Sequence, residues 1–166
     1  MSTNPARFDA LQIFDIERLV ELNNAAAPAV PIVSADEMAA LLETAGFTLA
    51  ARQNDRLIGF VIGMRPGSDY ASENYRFFSQ RSADFLYIDR IVIDSQHRGA
   101  GTGRALYEAV FDLAKKERAA QVNCEVNILP PNPESLAFHA RLGFDCIGEQ
   151  ATKNGSVVVA LLAAVI

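Results

Sequence analysis

Residues 88–108 carry three closely spaced glycines between an apolar strand and the start of a helix. The stretch reads I-D-R-I-V-I-D-S-Q-H-R-G-A-G-T-G-R-A-L-Y-E, and its glycines are Gly99, Gly101 and Gly103. A turn of this composition at a helix N-terminus presents several backbone amides, and the helix dipole adds partial positive charge. Because glycine has no Cβ, a phosphate can approach this backbone closely. The stretch therefore predicts a diphosphate-binding turn.

The spacing of the glycines excludes two common phosphate-binding motifs. A P-loop has four residues between its glycines and continues with Gly-Lys-Ser/Thr, whereas here Gly103 is followed by Arg104 and Ala105. A dinucleotide fingerprint that starts at Gly99 needs glycine or alanine where Arg104 stands. In addition, only about sixty residues follow the turn, which are too few for the usual dinucleotide-binding domain. The pattern that fits is Arg-x-x-Gly-x-Gly, beginning at Arg98. The alternative is a plain helix start in which the glycines serve only tight packing.

A second block, Asn132 to Phe144, reads N-P-E-S-L-A-F-H-A-R-L-G-F. Asn132 followed by Pro133 predicts a helix start, because asparagine is a good N-cap and proline is favoured at the first helical position. In this order, the two blocks resemble the GNAT superfamily of N-acetyltransferases, whose second pattern is Asn-x-x-Ala/Ser-x-x-Phe-Tyr-x-x-x-Gly-Phe. The resemblance covers residues 85–150, and the first half of the chain matches only in the order of its strands and helices.

The resemblance implies that acetyl-CoA is the co-substrate. In the family the glycine turn binds the diphosphate, and the pantetheine arm pairs with the main chain of the preceding strand, which here falls on Ile91 and Ile93. The same main-chain edge could polarise the thioester carbonyl. The asparagine of the second block touches the cofactor arm. The cofactor-binding residues that the resemblance implies are Ile91, Ile93, Arg98, Gly99, Ala100, Gly101, Thr102, Gly103, Arg104, Asn132 and Ser135.

His139 stands where many relatives carry a tyrosine that protonates the departing thiolate, and some amino-acid acetyltransferases of the family carry histidine there. A histidine, with an ordinary pKa of about 6.5, could donate that proton. The alternative is a helix histidine that packs beside Leu136 and Leu142 and has no chemical role.

The general base could be one of three side chains, or the amine could lose its proton through ordered water, as it often does in relatives. Some relatives use a glutamate eleven residues before the arginine of the phosphate motif; here that position is Tyr87, whose ordinary pKa of about 10 makes it a poor base. Asp89 is the better candidate, because it lies two residues further on and therefore on the same face of the strand. Glu125, on the next strand, is also open.

Residues 65–83 form a long connection that is rich in arginine and aromatic residues. Ser72, followed by Glu73, predicts a short capped helix within it. An arginine of this segment could bind a substrate carboxylate, so the segment could line the acceptor site. Equally, its aromatic side chains could join the core.

The order of the elements and the resemblance together predict an α/β (α+β) fold of the GNAT type in a single acetyltransferase domain, residues 1–166. We expect a central mixed, mostly antiparallel sheet of about six or seven strands, flanked by about four helices and splayed at the cofactor cleft. The strands are expected at 8–14, 47–52, 57–64, 85–93, 121–127 and 157–166. The clearest helices are expected at 16–24, from a capping box at Ser34 to near Gly46, after the glycine turn, and from Asn132.

Composition and charge restrict the partners and the compartment. The net charge of −5 argues against nucleic acid or an anionic membrane as the main partner. The N-terminus lacks a signal-peptide pattern, and the apolar run from Val157 to Ile166 is far shorter than the roughly 20 residues of a spanning helix. Cys124 and Cys146 lie in apolar runs without a C-x-x-C motif. We therefore expect a cytoplasmic protein with two reduced core thiols.

These observations predict a transferase that moves the acetyl group of acetyl-CoA directly to a primary amine of a small molecule or amino acid. No metal is expected, since no His/Cys cluster has ligand spacing. Three alternatives stay open: a non-catalytic acyl-CoA-binding module, an enzyme that acetylates a protein N-terminus, and a nucleotide-binding domain. The apolar last strand could pair between subunits and form a homodimer.

Overall fold

The computed structural model of the protein describes residues 5–166, which form seven β-strands and five α-helices. The strands are β1 (Arg7–Asp9), β2 (Phe47–Gln53), β3 (Arg56–Met64), β4 (Phe85–Ile93), β5 (Gln121–Leu129), β6 (Asp145–Thr152) and β7 (Val157–Val165). The helices are α1 (Ile16–Ala25), α2 (Ala35–Thr44), α3 (Glu73–Ser79), α4 (Thr102–Glu117) and α5 (Pro133–Arg141). The prediction of one domain over residues 1–166 stays a prediction, and its first four residues lie outside the described ones.

The strands form one seven-stranded sheet in the order β1-β2-β3-β4-β5-β7-β6. The pairs β1 with β2, β2 with β3, β5 with β7, and β6 with β7 are antiparallel. β4 and β5 run parallel, and their ladder has three residue pairs, from Phe85↔Gln121 to Tyr87↔Asn123, although each strand has nine residues. The predicted mixed, mostly antiparallel sheet is confirmed, and the short ladder is what a splayed sheet requires.

The chain forms two compact units, which we describe separately. Unit 1 comprises the described residues up to Gly63 together with Arg90–Val110, and unit 2 comprises Met64–Asp89 and Phe111–Ile166. β4 and α4 have residues in both. Apolar side chains that are almost fully buried form the core of each unit, and each contributes about 1.5–3 kcal/mol. The largest are Leu19, Met38, Phe60, Ile62 and Leu106 in unit 1, and Met64, Phe78, Phe85, Leu86 and Leu161 in unit 2.

In unit 1 the predicted helix signals are confirmed. α1 begins at Ile16 as expected. The capping box of α2 is present: Ser34 Oγ accepts from the Glu37 amide at 3.1 Å, and the Glu37 carboxylate accepts from the Ser34 amide at 2.7 Å. These two bonds satisfy two amides of the first turn.

The first strand is shorter than predicted. The sequence suggested a strand over residues 8–14, but β1 ends at Asp9 and a 3-10 turn occupies Ile13–Asp15. The reason is Asp15, whose carboxylate accepts from the Gln12 amide at 2.8 Å and from both Nη atoms of Arg52 at 2.8 Å. This buried ion pair turns the chain out of the sheet.

In unit 2, Ser72 caps α3 as predicted, since its Oγ accepts from the Tyr75 amide at 3.2 Å.

β7 is the buried strand expected at the C-terminal end. Both edges of β7 are already paired, because it lies between β5 and β6. The expectation that β7 pairs with a second subunit is therefore wrong, while the homodimer itself stays a prediction. Cys124 is buried as expected, whereas the expected burial of Cys146 is wrong, because this cysteine lies exposed on β6. Among residues 5–166, no helix is both long enough and apolar enough to span a bilayer.

Candidate active site

The glycine turn of unit 1 has the open main chain that phosphate binding needs. Gly99 and Gly101 have φ values of +76° and +84°, which L side chains rarely adopt, and a Cβ built on either residue would have no neighbour within 4 Å. The main chain of the turn is therefore exposed, and a ligand can approach both residues.

The helix that follows begins with amides that have no partner within the helix itself. The Ala105 amide donates to the Gly101 carbonyl at 3.0 Å, so the amides of Thr102, Gly103 and Arg104 precede the helical hydrogen bonds of α4. Arg98 is exposed, whereas Arg104 Nε is 3.0 Å from Glu108 Oε1. The open glycines and these amides fit a diphosphate; Arg98 can add positive charge, while Glu108 offsets that of Arg104.

Asp94 and Arg18 support the entrance to the turn, and the sequence did not reveal this contact. The Asp94 amide donates to the Ile58 carbonyl at 2.8 Å, and its carboxylate accepts from the Gln96 amide at 3.0 Å and from Arg18 Nη2. Arg18 Nε also donates to the Leu57 carbonyl at 3.2 Å. The bond from Gln96, followed by Arg18, lowers the pKa of Asp94. An aspartate at a strand end suggests a turn, but no sequence signal links it to Arg18.

In unit 2, Tyr87 is held by a carboxylate. Its side chain is fully buried, and its hydroxyl donates to both carboxylate oxygens of Glu125, at 2.9 and 2.8 Å. Burial, followed by the charges of Glu125 and Asp89, raises the pKa of Tyr87 well above its ordinary value. This phenol keeps its proton at neutral pH and orients Glu125.

Asp89, the preferred base candidate, lies close to the same phenol. It is half-buried on β4, and its carboxylate accepts a hydrogen bond from the Tyr70 hydroxyl. The structure thus groups Asp89 and Glu125 with one tyrosine hydroxyl bonded to each. We call Tyr70, Tyr87, Asp89 and Glu125 the tyrosine–carboxylate cluster.

Asn123 lies beside this cluster and was not singled out from the sequence. It pairs with Tyr87 in the β4–β5 register and is two residues from Glu125 on β5, so its side chain shares their face. The side chain is fully buried, and neither its amide nitrogen nor its amide oxygen has a hydrogen-bond partner in the described part of the chain. Buried amides are rarely left in this state.

His139 is a buried imidazole on α5. Its Nδ1 is 2.7 Å from the Ser135 carbonyl oxygen, so that nitrogen carries the proton and donates it. Its ring contacts the rings of Phe138 and Phe144 edge-on, with 5.3 Å between the ring centroids in each pair. Burial lowers the pKa of His139, and the Ser135 carbonyl opposes this only in part. The neutral imidazole is therefore the dominant form at pH 7.

Asn132 begins α5 as the N-cap reading predicts. Its side-chain oxygen accepts from the Ser135 amide at 3.4 Å, and Pro133 follows at the first helical position. Its own amide donates to the Asn127 carbonyl at 3.2 Å. This local role of Asn132 is compatible with the contact to the cofactor arm, which stays a prediction.

Two of the three arginines in the segment 65–83 bond to groups of the protein itself. Arg65 Nε and Nη2 donate to Glu117 at 2.9 and 2.5 Å. Arg81 donates to the Phe77 carbonyl at 2.9 Å, and its guanidinium lies 3.4 Å from the centroid of the Phe77 ring. Tyr75 and Phe78 are buried. These two aromatic side chains therefore join the core, and a role of the segment in the acceptor site stays a prediction.

The predicted site residues fall into two groups, one in each unit. Unit 1 holds Ile91, Ile93, Arg98, Gly99, Ala100, Gly101, Thr102, Gly103 and Arg104. Unit 2 holds Tyr87, Asp89, Asn132, Ser135 and His139. Within residues 5–166, no group of three or more histidine, cysteine or carboxylate side chains could hold a metal ion.

Two structures and one curated protein show what the chain is similar to. Ard1 from Thermoplasma volcanium superposes with a TM-score of 0.80 at 16% identity, over 98% of this chain and 99% of that chain. The NatC complex bound to Gag peptide and CoA gives a TM-score of 0.75 at 17% identity, over 98% and 99%. The L-2,4-diaminobutyric acid acetyltransferase of Nocardia farcinica (strain IFM 10152) is 30% identical over 96 residues, which are 57% of this chain.

The match to that curated relative spans only 42% of the relative's length. The two structural neighbours, both under 20% identical, establish the fold. The family rests on a longer match: the profile of the Acetyltransferase (GNAT) family covers residues 13–144, which is more than half of the chain. With the glycine turn, the short β4–β5 ladder and this match together, the chain belongs to the GNAT family of N-acetyltransferases.

Proposed function

We propose that this acetyltransferase moves the acetyl group of acetyl-CoA directly to a primary amine of a small molecule or amino acid. The observation that carries the proposal is the open main chain at Gly99 and Gly101, directly before the first turn of α4. The relative from Nocardia farcinica, whose name gives a small amino acid as acceptor, supports a small amine here.

Residues 98–104 would hold the diphosphate of acetyl-CoA through their main-chain amides, helped by Arg98. The main chain of Ile91 and Ile93 would pair with the pantetheine arm, and Asn132 and Ser135 would contact it. The CoA in the NatC neighbour supports this choice of co-substrate. When bound, acetyl-CoA supplies the acetyl group as an activated thioester. Holding it beside the acceptor supplies much of the acceleration.

A carboxylate of the tyrosine–carboxylate cluster would remove the proton from the acceptor, which reaches the site as an ammonium ion. Asp89 is half-buried on β4, and its carboxylate accepts a hydrogen bond from the Tyr70 hydroxyl. Glu125 is the second candidate. Tyr87 acts as a positioning residue, because its raised pKa prevents it from serving as a base.

His139 is proposed as the proton donor to the leaving group, but its environment restricts how it could act. Burial favours the neutral ring, whose Nδ1–H is held by the Ser135 carbonyl. Nε2 of that form accepts a hydrogen bond, and proton donation from it requires the imidazolium. Water is the alternative donor.

Acetyl transfer is tested by incubating the protein with acetyl-CoA and a panel of amines, amino acids and peptides while free thiol is measured. Turnover with a small amine supports the proposal. Tight acetyl-CoA binding without turnover on any member favours the non-catalytic binding module. Turnover confined to peptide N-termini favours the alternative of protein N-terminal acetylation, and calorimetric preference for ATP or a dinucleotide would overturn acetyl-CoA as the ligand.

A further inference from the structure

The tyrosine–carboxylate cluster contains one more carboxylate than proton removal requires. Asp89 lies two residues from Tyr87 on β4, and Glu125 accepts from the Tyr87 hydroxyl at 2.9 and 2.8 Å. Both are half-buried. One carboxylate can take the proton of the reacting ammonium group, and the other then keeps its negative charge beside the bound acceptor.

Asn123 independently indicates that this face of the sheet accommodates a polar ligand. Its amide is completely buried and unpartnered, and it lies on the face that carries Tyr87 and Glu125. A buried amide without hydrogen bonds is unfavourable for folding alone. A ligand that donates hydrogen bonds, or the water bound with it, would satisfy the amide oxygen of Asn123.

We propose that this cluster selects acceptors that carry a second cationic group beside the amine that is acetylated, such as a diamine or a basic amino acid. The proposal rests on the proposed function, since it describes the acceptor part of the same site. An ammonium group offers three hydrogen-bond donors, and its bonds to a carboxylate are shorter and stronger than neutral ones. The partner of the second cation is whichever of Asp89 and Glu125 does not remove the proton.

Acceptor binding is measured by calorimetry on the whole protein, with butylamine and 1,4-diaminobutane as the matched probes. They differ only by the second amine. We expect the diamine to bind about tenfold more tightly, the effect of one hydrogen bond to a charged group. A lysine-glycine dipeptide compared with leucine-glycine extends the test and distinguishes a small acceptor from a peptide. Equal affinities in both pairs, or no binding of either diamine-type probe, would overturn the proposal.

Three variants assign the effect to the cluster. Glu125→Gln and Asp89→Asn keep the shape and the hydrogen bond from tyrosine but remove the charge, and at least one should abolish the preference for the diamine. Glu149→Gln changes the net charge equally at an exposed position of β6 and should retain it. Thermal unfolding verifies that each variant is folded. A preference that survives in Glu125→Gln and in Asp89→Asn contradicts the assignment.

Acceptor selectivity and acetyl transfer fail in different experiments. Selective binding of the diamine without acetyl transfer to any amine would contradict the transferase proposal alone. Acetyl transfer from acetyl-CoA to butylamine and 1,4-diaminobutane with equal kcat/KM would contradict the selectivity alone.

Discussion

Gly101 combines a backbone conformation that favours glycine with the open surface that a phosphate requires. A side chain at this position could therefore lower both the stability of the fold and the affinity for the cofactor, and a test must separate these two losses. Any side chain at φ +84° costs about 1–2 kcal/mol of conformational energy. A Cβ at Gly101 also occupies the space that the diphosphate would approach.

We expect Gly101→Ala to weaken acetyl-CoA binding at least about tenfold, a loss of about 1.4 kcal/mol, measured by calorimetry. The matched control is Gly155→Ala, because Gly155 has φ +83° and is also open but follows β6. Both variants should lose similar stability, and only the first should lose affinity. Similar affinities in the two variants would show that the turn does not hold the cofactor.

The protonation of His139 should affect the free energy of unfolding. Its pKa is lowered in the native state by burial, whereas in the unfolded chain it titrates near the ordinary value of about 6.5. Below that value the unfolded state binds a proton that the native state lacks, so stability decreases as the pH falls and levels off below the native pKa.

Denaturant unfolding between pH 8 and pH 5 tests this linkage. We expect the free energy of unfolding of the wild-type protein to fall more steeply below about pH 6.5 than that of His139→Gln. His97→Gln, which removes the other histidine, is measured in the same way as a control. Parallel curves for the wild type and His139→Gln would contradict the burial of a neutral imidazole.

At the scale of elements, α1 supports the strand that leads into the glycine turn. Arg18 bonds to Asp94, which follows the end of β4. Asn23, five residues further along α1, accepts at 2.8 Å from the buried Arg90. The Arg18–Asp94 pair is partly buried, with 19% and 10% of the side chains exposed. A charged hydrogen bond in such a place is worth about 1.5–3 kcal/mol.

We expect Arg18→Met, which retains the alkyl stem, to lower the free energy of unfolding by about that amount. Because Asp94 also holds Gln96 at the entrance of the turn, the KM for acetyl-CoA should rise several-fold while kcat stays close to wild type. Arg7→Met is the matched control, since the Arg7 pairs are exposed and worth about 0–1 kcal/mol. Equal effects of the two variants on KM would remove any role of α1 in cofactor binding.

Local signals account for what the sequence predicted at this scale. The capping box at Ser34, the Asn132 N-cap and the glycine turn each depend on residues within a few positions, and all three are present. The sequence did not predict β6, because the residues Asp145–Thr152 show no apolar alternation and most of them are exposed. They form a strand through pairing with β7.

Over the whole molecule, the contacts that the sequence did not reveal are those between residues far apart in the chain. Arg18 and Asp94 are 76 residues apart, and Tyr87 and Glu125 are 38 apart. Neither pair has a motif, and both exist only because the sheet order and register bring their elements together. No sequence signal marks Asn123 either. The lack of hydrogen bonds to its amide among the described residues follows from its complete burial opposite Tyr87, which only the folded sheet shows.

Cofactor binding should stabilise the whole folded chain, because the glycine turn exists only in the native state. At a ligand concentration 100 times its Kd, acetyl-CoA is expected to add about 2.7 kcal/mol to the free energy of unfolding, a rise of about 5–10 °C in Tm for a chain of this length. Because the amides of residues 98–104 would hold the diphosphate, 3′-dephospho-CoA should retain most of the shift. At equal concentration, ATP should give less, since it lacks the arm that would pair with β4. No shift with acetyl-CoA, or a larger one with ATP, would contradict this binding mode.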